Sequence, residues 1–371
     1  MKDGINVLSL FDGMSGTQIA LKRSGIKVKT YYASEVDKYA VQVTQSRFPD
    51  TVQLGSVKDI TFTDMLDIDL LVGGSPCQDF SVAGKKRGFN GDRGRLFFEY
   101  VRLLRELLRQ NPNLKFIFEN VRMKQEWQDI ISKELGVKPI RINSSLLSAQ
   151  NRVRDYWTNI EGIEQPDDLG IMLKDIVHEG EVDRDKALCL DSNYHKGGSG
   201  KMYFEKSRRQ QVFEPLTEYI VPFDQTLKIL DKEVERGKVG YFRKDSQANR
   251  VYYVHDKAVT LCGDAGGGSV KMGMYLFGCI TPSRINKRQN GQRFSTGQKF
   301  YTLTAQDQHG ILVEGYIRKL TPTECERLQT VPDGYTEGIS NTQRYKMLGN
   351  GFTVDVICHL LKGVFNDNTV R

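Results

Sequence analysis

The 371-residue chain is poor in cysteine and histidine, and the few it has are scattered. Six cysteines stand at 77, 189, 262, 279, 325 and 358 with no C-x-x-C pair. That spacing excludes the usual zinc patterns and argues against a disulfide framework, so no metal site is expected. Five histidines, at 178, 195, 255, 309 and 359, leave little material for a cysteine–histidine hydrolase. Only His359 lies near a motif-bearing segment, on an apolar helical stretch where packing is the expected role. No apolar run reaches the roughly eighteen residues of a membrane span, and no charged-then-apolar leader opens the chain. A cytoplasmic protein with no membrane partner is therefore expected. Charge of one sign is in modest excess: Lys and Arg number 53 against 46 Asp and Glu, a net charge of +7. This suits a polyanionic partner without requiring one.

What is present is a regular alternation of short apolar runs and helical periodicity over the first 160 residues, the pattern of a parallel α/β sheet. Strands are expected at Ile5 to Leu10, Val28 to Ala33, Asp69 to Val72 and Phe116 to Phe118. A long amphipathic helix is expected from Phe97, ending before Pro112. From 161 to 315 the texture becomes β-rich and glycine-rich, with runs such as Val251-Tyr252-Tyr253-Val254. A faint repeat there pairs Arg250 to Leu261 with Arg293 to Leu303. The last segment, 316–371, returns to helix, with Val354, Ile357, Leu361 and Val364 at helical spacing. The expected fold is a doubly wound, mostly parallel α/β sheet in a catalytic domain made from both ends of the chain, with a smaller β-rich domain inserted.

Two segments carry chemistry. In Gly73-Gly74-Ser75-Pro76-Cys77-Gln78, proline immediately before the cysteine prevents continuation as a regular helix or central strand. The thiol is thereby presented at the C-terminal end of a strand, where open α/β sheets bind ligands. The strand at Phe116 to Phe118 delivers Glu119 and Asn120 to the same edge, so a thiol and a carboxyl group face one pocket.

With Phe11-Asp12-Gly13, Pro76-Cys77-Gln78, Glu119-Asn120-Val121, Gln150-Asn151-Arg152-Val153-Arg154, Arg327-Leu328-Gln329 and Gly349-Asn350 in that order, the chain resembles the DNA (cytosine-5) methyltransferases. The resemblance is to the stand-alone bacterial or phage kind and covers about the first 160 and the last 55 residues. It implies the Rossmann-like methyltransferase fold, S-adenosylmethionine as cofactor and double-stranded DNA as substrate. Phe11, Asp12, Gly13, Gly16, Glu35, Val36, Asp59, Ile60, Pro76, Leu96, Asn350 and Thr353 would line the cofactor site, with Glu35 on the ribose hydroxyls and Asp59 on the adenine amino group. A NAD or FAD site would want G-x-G-x-x-G, and here only Gly13 and Gly16 are present. The family pattern often carries a further glycine where this chain has Ser15 or Thr17.

The implied chemistry is addition of the Cys77 thiolate to cytosine C6, which makes C5 nucleophilic enough to accept a methyl group. Glu119 would hold N3 and the exocyclic amine, and Arg152 and Arg154 would hold the base oxygen and a phosphate. The loop from Asp79 to Arg95 mixes glycines with cations and suits closure over an extruded base. Gln78, Ser81, Lys85, Lys86 and Arg87 are its expected DNA contacts. In the inserted domain, Arg284, Lys287, Arg288, Gln289 and Asn290 form the densest cluster of base-reading or phosphate-gripping side chains. Either Gln289, Gln292 or Gln298, or else Lys85 or Arg87, would fill the gap left by the extruded cytosine.

The expected enzyme is thus a DNA (cytosine-5-)-methyltransferase. It would act as a monomer in a bacterial or phage-infected cell, with no obligatory protein partner; a cognate restriction endonuclease is compatible with this reading. Two alternatives stand beside it. One is a tRNA cytosine-5 methyltransferase, whose characteristic Cys-Phe-Thr string this chain lacks. The other is a catalytically inactive DNA-binding relative, against which the intact motifs argue. The target DNA word is not legible, because groove contacts from irregular loops carry it.

Overall fold

The computed structural model describes residues 4–61, 67–76, 89, 91, 94–178, 180, 182–196, 203, 208–212, 318–362 and 364 with side chains, and between 213 and 317 the backbone of short strands. The chain divides into two compact units, Met1–Met172 with Cys325–Arg371, and Leu173–Glu324.

The first unit is built on a seven-stranded sheet. Its strands are β1 (Ile5–Leu10), β2 (Val28–Ser34), β3 (Val52–Gln53), β4 (Leu70–Gly73), β5 (Lys115–Val121), β6 (Ile140–Asn143) and β7 (Val153–Thr158), in the order β3-β2-β1-β4-β5-β7-β6. The pairs among β1 to β5 are parallel. Strand β7 runs antiparallel to both β5 and β6. All six residues of β1 are buried, as a strand covered on both faces requires.

Helices α1 (Gly16–Arg23), α2 (Lys38–Arg47), α3 (Leu96–Gln110) and α4 (Gln125–Leu135) alternate with these strands. Helix α3 buries Phe97, Tyr100, Val101, Leu103, Leu104 and Leu107 and stops at Asn111, ahead of Pro112. Phe118 of β5 sits among the rings of Phe97 (5.2 Å), Tyr100 (4.8 Å) and Trp157 (5.9 Å). The Tyr100 hydroxyl donates to the Ile117 carbonyl at 3.1 Å.

The second unit is β-rich. It opens with a short helix, α5 (Leu173–Ile176). Two four-stranded sheets follow, one running Leu227–Val234, Lys238–Phe242, Arg250–Tyr253, Met274–Leu276 and the other Phe294–Ser295, Gly278–Ile280, Gly310–Leu312, Ile220–Pro222. Gln211–Glu214 pairs antiparallel with Tyr316–Lys319. The repeat noted in the sequence coincides with strands only at Arg250–Tyr253 and Phe294–Ser295, and its remaining residues lie outside the described set.

The chain returns through α6 (Pro322–Leu328), α7 (Asn341–Asn350) and α8 (Val354–Leu361). Helix α8 packs on α1, where Arg23 bonds Asp355 at 2.6 Å and the Cys358 thiol lies 3.6 Å from the Ala20 carbonyl. Val364 falls beyond the end of α8 and extends the apolar stripe only as a turn residue. Among the described residues no helix is long and apolar enough to cross a membrane, and no cluster of three metal-ligating side chains occurs.

Candidate active site

Strand register sets the site. Leu10 pairs with Ser34 on one side and with Gly73 on the other, and Gly73 pairs with Phe118. The next residue on each strand, Phe11, Glu35, Gly74 and Glu119, therefore lies in one row at the C-terminal edge. The strand order reverses between β1 and β4, which is where doubly wound sheets open a ligand crevice.

On the β1 side the loop after Leu10 is held in an uncommon conformation, with φ of 56° at Phe11, 59° at Gly13 and 59° at Ser15. Left-handed non-glycine residues cost about 1–3 kcal/mol each and persist only where neighbours over-determine them. The neighbours here are identifiable. Asp12 is buried, accepts from the Tyr31 hydroxyl at 2.7 Å and from the Ser15 hydroxyl, and its backbone N–H bonds the Ser34 carbonyl. Burial raises its pKa to about 6, against the opposing pull of those hydroxyls. Its carboxylate therefore shapes the loop from within.

Glu35 does the same from β2, accepting from the backbone N–H groups of Gly13 (2.8 Å), Val36 (2.8 Å) and Asp37 (2.7 Å). Val36 beside it is 76% exposed, an apolar surface at the mouth of a polar crevice. A side chain at Gly13 would meet nothing within 4 Å, so the loop is open on that side. Asp59 is exposed, Ile60 is buried in the core, and Leu96 is partly buried at the start of α3.

On the β4–β5 side, Glu119 and Arg154 form an ion pair at 2.9 Å, with side chains 13% and 12% exposed. Burial pushes Glu119 above the ordinary carboxylate range, and Arg154 and Arg152 pull it part of the way back. A Cβ at Gly74 would lie 2.8 Å from a Glu119 carboxylate oxygen and 3.1 Å from the Phe352 ring. Glycine is thus required for the carboxylate to sit beside the Ser75-Pro76 turn. Asn120 is buried, and its amide nitrogen reaches the Ser75 hydroxyl (3.2 Å) and carbonyl (3.4 Å). The backbone that leads into Cys77 is tied to β5 by this side chain.

Arg152 is also buried, and its guanidinium donates to the carbonyls of Gly349 (3.3 Å) and Gly351 (2.9 Å). It brackets Asn350, which is exposed at the end of α7. Thr353 is buried and donates to Gln329 at 2.9 Å while accepting from Ser144 at 2.9 Å. The second nitrogen of the His359 ring lies 2.8 Å from the Glu164 carbonyl, so that ring is engaged with backbone.

The structure thus brings Phe11, Asp12, Gly13, Glu35, Val36, Glu119, Arg154, Arg152 and Asn350 to one edge of the sheet or to turns bonded to it. Cys77, Gln78, Ser81, Lys85, Lys86, Arg87, Arg284, Lys287, Arg288, Gln289, Asn290, Gln292 and Gln298 lie outside the described residues. Sequence reasoning missed the parts played by Gly74 and Ser75. Two consecutive glycines after an apolar strand were the available signal of a close approach.

A mostly parallel α/β sheet with a loop-lined switch-point crevice is the architecture of the Rossmann-like methyltransferases. The profile of the C-5 cytosine-specific DNA methylases matches residues 5–133 and 148–366. The chain belongs to that family, and it is an enzyme of DNA cytosine-5 methylation. It is similar to the orphan methyltransferase M.SPRI of Bacillus phage SPR, 29% identical over 96% of this chain and 97% of the relative. It is similar also to the type II methyltransferase M.HhaI of Haemophilus parahaemolyticus, 25% identical over 96% of this chain and 93% of the relative. In fold it is similar to the Entamoeba histolytica methyltransferase EhMeth, with a TM-score of 0.55 at 15% identity over 99% of this chain and 100% of that one.

Proposed function

We propose that the chain transfers a methyl group from S-adenosylmethionine to C5 of a cytosine extruded from a specific double-stranded DNA word, through a covalent bond between Cys77 and C6. The observation that carries this reading is the register row that places Phe11, Glu35, Gly74 and Glu119 side by side.

The residues present fit the cofactor. Glu35 offers carboxylate oxygens for ribose hydroxyls, exposed Val36 offers an apolar face for a purine, and the open side of Gly13 lets backbone approach. The rest of the set assigned to it is Phe11, Asp12, Gly16, Asp59, Ile60, Pro76, Leu96, Asn350 and Thr353. When bound, S-adenosylmethionine supplies an electrophilic methyl group on a sulfonium.

The protein's own groups do the rest. The Cys77 thiolate adds its electron pair to C6, and the C5–C6 π electrons move into the ring toward N3. Glu119, its pKa raised by burial, shares a proton with N3, and Arg154 keeps the carboxyl group aimed. Such positioned acid–base groups contribute about 10²–10⁴-fold. Once C5 carries the methyl group, the C5 proton is lost to base, the C5–C6 double bond re-forms as the thiolate leaves C6, and N3 returns its proton to Glu119. We assign target choice to the inserted domain at 161–315 and take the acting species to be a single chain. Bisulfite sequencing of plasmid DNA from cells expressing the chain tests the reading. Cytosine protected in one short word supports it, and uniform conversion contradicts it.

A further inference from the structure

Arg327-Leu328-Gln329 belongs to the motif order, yet the chemistry above gives it no task. Gln329 is fully buried and stands at the centre of a polar network. Its amide nitrogen donates to the Leu348 carbonyl at 2.6 Å and lies 3.4 Å from the Gly351 carbonyl. Its amide oxygen accepts from Gln150 at 3.0 Å and from Thr353 at 2.9 Å. Gly351 is thereby gripped by Gln329 and by Arg152 together.

Six residues further on, buried Tyr335 sends its hydroxyl to the Met14 carbonyl at 2.7 Å. Met14 lies in the strained loop between Phe11 and Ser15. Its methyl group also faces Gly351, where a Cβ would come within 3.1 Å of it. One short segment therefore holds the Met14 carbonyl through Tyr335 and, through Gln329, the Gly351 backbone that the Met14 methyl group faces.

The segment is itself anchored. The buried Glu326 carboxylate accepts from the N–H groups of Gly334 (2.7 Å) and Thr336 (2.8 Å) and from Arg344 (3.0 Å). Arg47 of α2 donates to the carbonyls of Tyr335 (2.9 Å) and Gly334 (2.5 Å).

We infer that Tyr335 and Gln329 are positioning residues of the cofactor site, setting the Phe11–Ser15 loop and the Gly349–Gly351 turn from behind. The inference rests on the S-adenosylmethionine reading above. The test is calorimetric binding of S-adenosylhomocysteine to the full chain, with each variant's thermal unfolding and duplex DNA binding measured alongside. One neutral hydrogen bond sets the scale: Tyr335→Phe is expected to weaken S-adenosylhomocysteine about three- to tenfold, leave duplex affinity unchanged, and raise KM for S-adenosylmethionine more than it lowers kcat. Asp333→Asn, which breaks only the exposed Arg327–Asp333 pair of the same segment, is expected to bind as wild type. If Tyr335→Phe does not fold, Arg47→Ala is read the same way, since it releases both carbonyls held from α2. A lowered melting temperature with unchanged affinity would mean that the hydroxyl serves stability alone, and would overturn the inference. Wild type that fails to bind S-adenosylhomocysteine would overturn the cofactor reading itself.

Discussion

In the proposed reaction Glu119 must be anionic enough to hold Arg154 and basic enough to share a proton with a pyrimidine ring, and burial beside the guanidinium groups of Arg154 and Arg152 suits both needs. Glu119→Gln keeps the shape and removes the proton. Its kcat is expected to fall about 10²–10⁴-fold with little change in duplex affinity, and single-turnover kinetics on a target duplex would check this. Cys77→Ser is expected to abolish transfer while the protein stays folded, because a serine hydroxyl ionises far less; retention of more than about a tenth of the activity, roughly 1.4 kcal/mol of barrier, would contradict a thiolate nucleophile. Asp12 yields a pH signature. Its folded pKa near 6 lies above the ordinary value of 3.8. Its contribution to stability is therefore fullest below about pH 4 and is lost as pH rises through 6, a change on the order of 3 kcal/mol. Urea midpoints of wild type relative to Asp12→Asn should decline across that window, and parallel profiles would place the carboxyl group elsewhere. At this scale Glu119 and Arg152 were legible as residues of the sheet edge because their neighbours in sequence are distinctive, and Cys77 lies outside the described residues. Tyr335 was not, because its partner Met14 lies 321 residues away and nothing local marks a tyrosine for that bond.

Among elements, β5 carries most of the positioning. Its inner residues pack a ring cluster, and its last residues supply Glu119 and Asn120. Phe118→Ala should cost about 3–5 kcal/mol by removing the centre of that cluster, measurable as a lowered urea midpoint; a loss under about 1 kcal/mol would mean the rings repack without it. The expected strand at Phe116 to Phe118 proved longer, reaching Val121, because β7 pairs with it as far as Arg154. Strand β1 was readable to the residue, since a six-residue, mostly apolar run bounded by a glycine-bearing turn is too short for a helix. The antiparallel entry of β7 between β5 and β6 was not readable, because residue patterning reports which faces are buried and not which neighbour pairs in which direction.

At the scale of the molecule, a unit built from both ends of the chain carries the crevice, its sheet from the first 158 residues, and in sequence the β-rich unit of Leu173–Glu324 separates the two parts. Base choice assigned to that interruption makes a separable prediction. Arg288→Ala or Asn290→Ala is expected to relax the methylated word if those side chains read bases. An equal loss at every sequence, with a smaller salt slope, would make them phosphate contacts. The covalent step is tested most directly with a duplex carrying 5-fluorocytosine at the target position, in the presence of S-adenosylmethionine. Fluorine cannot leave C5 as a cation, so the reaction stops with enzyme and DNA joined. The account predicts a denaturation-stable complex whose cross-linked peptide contains Cys77, absent in Cys77→Ser. No such complex from an enzyme that methylates the unmodified word, or one joined through another residue, would contradict it.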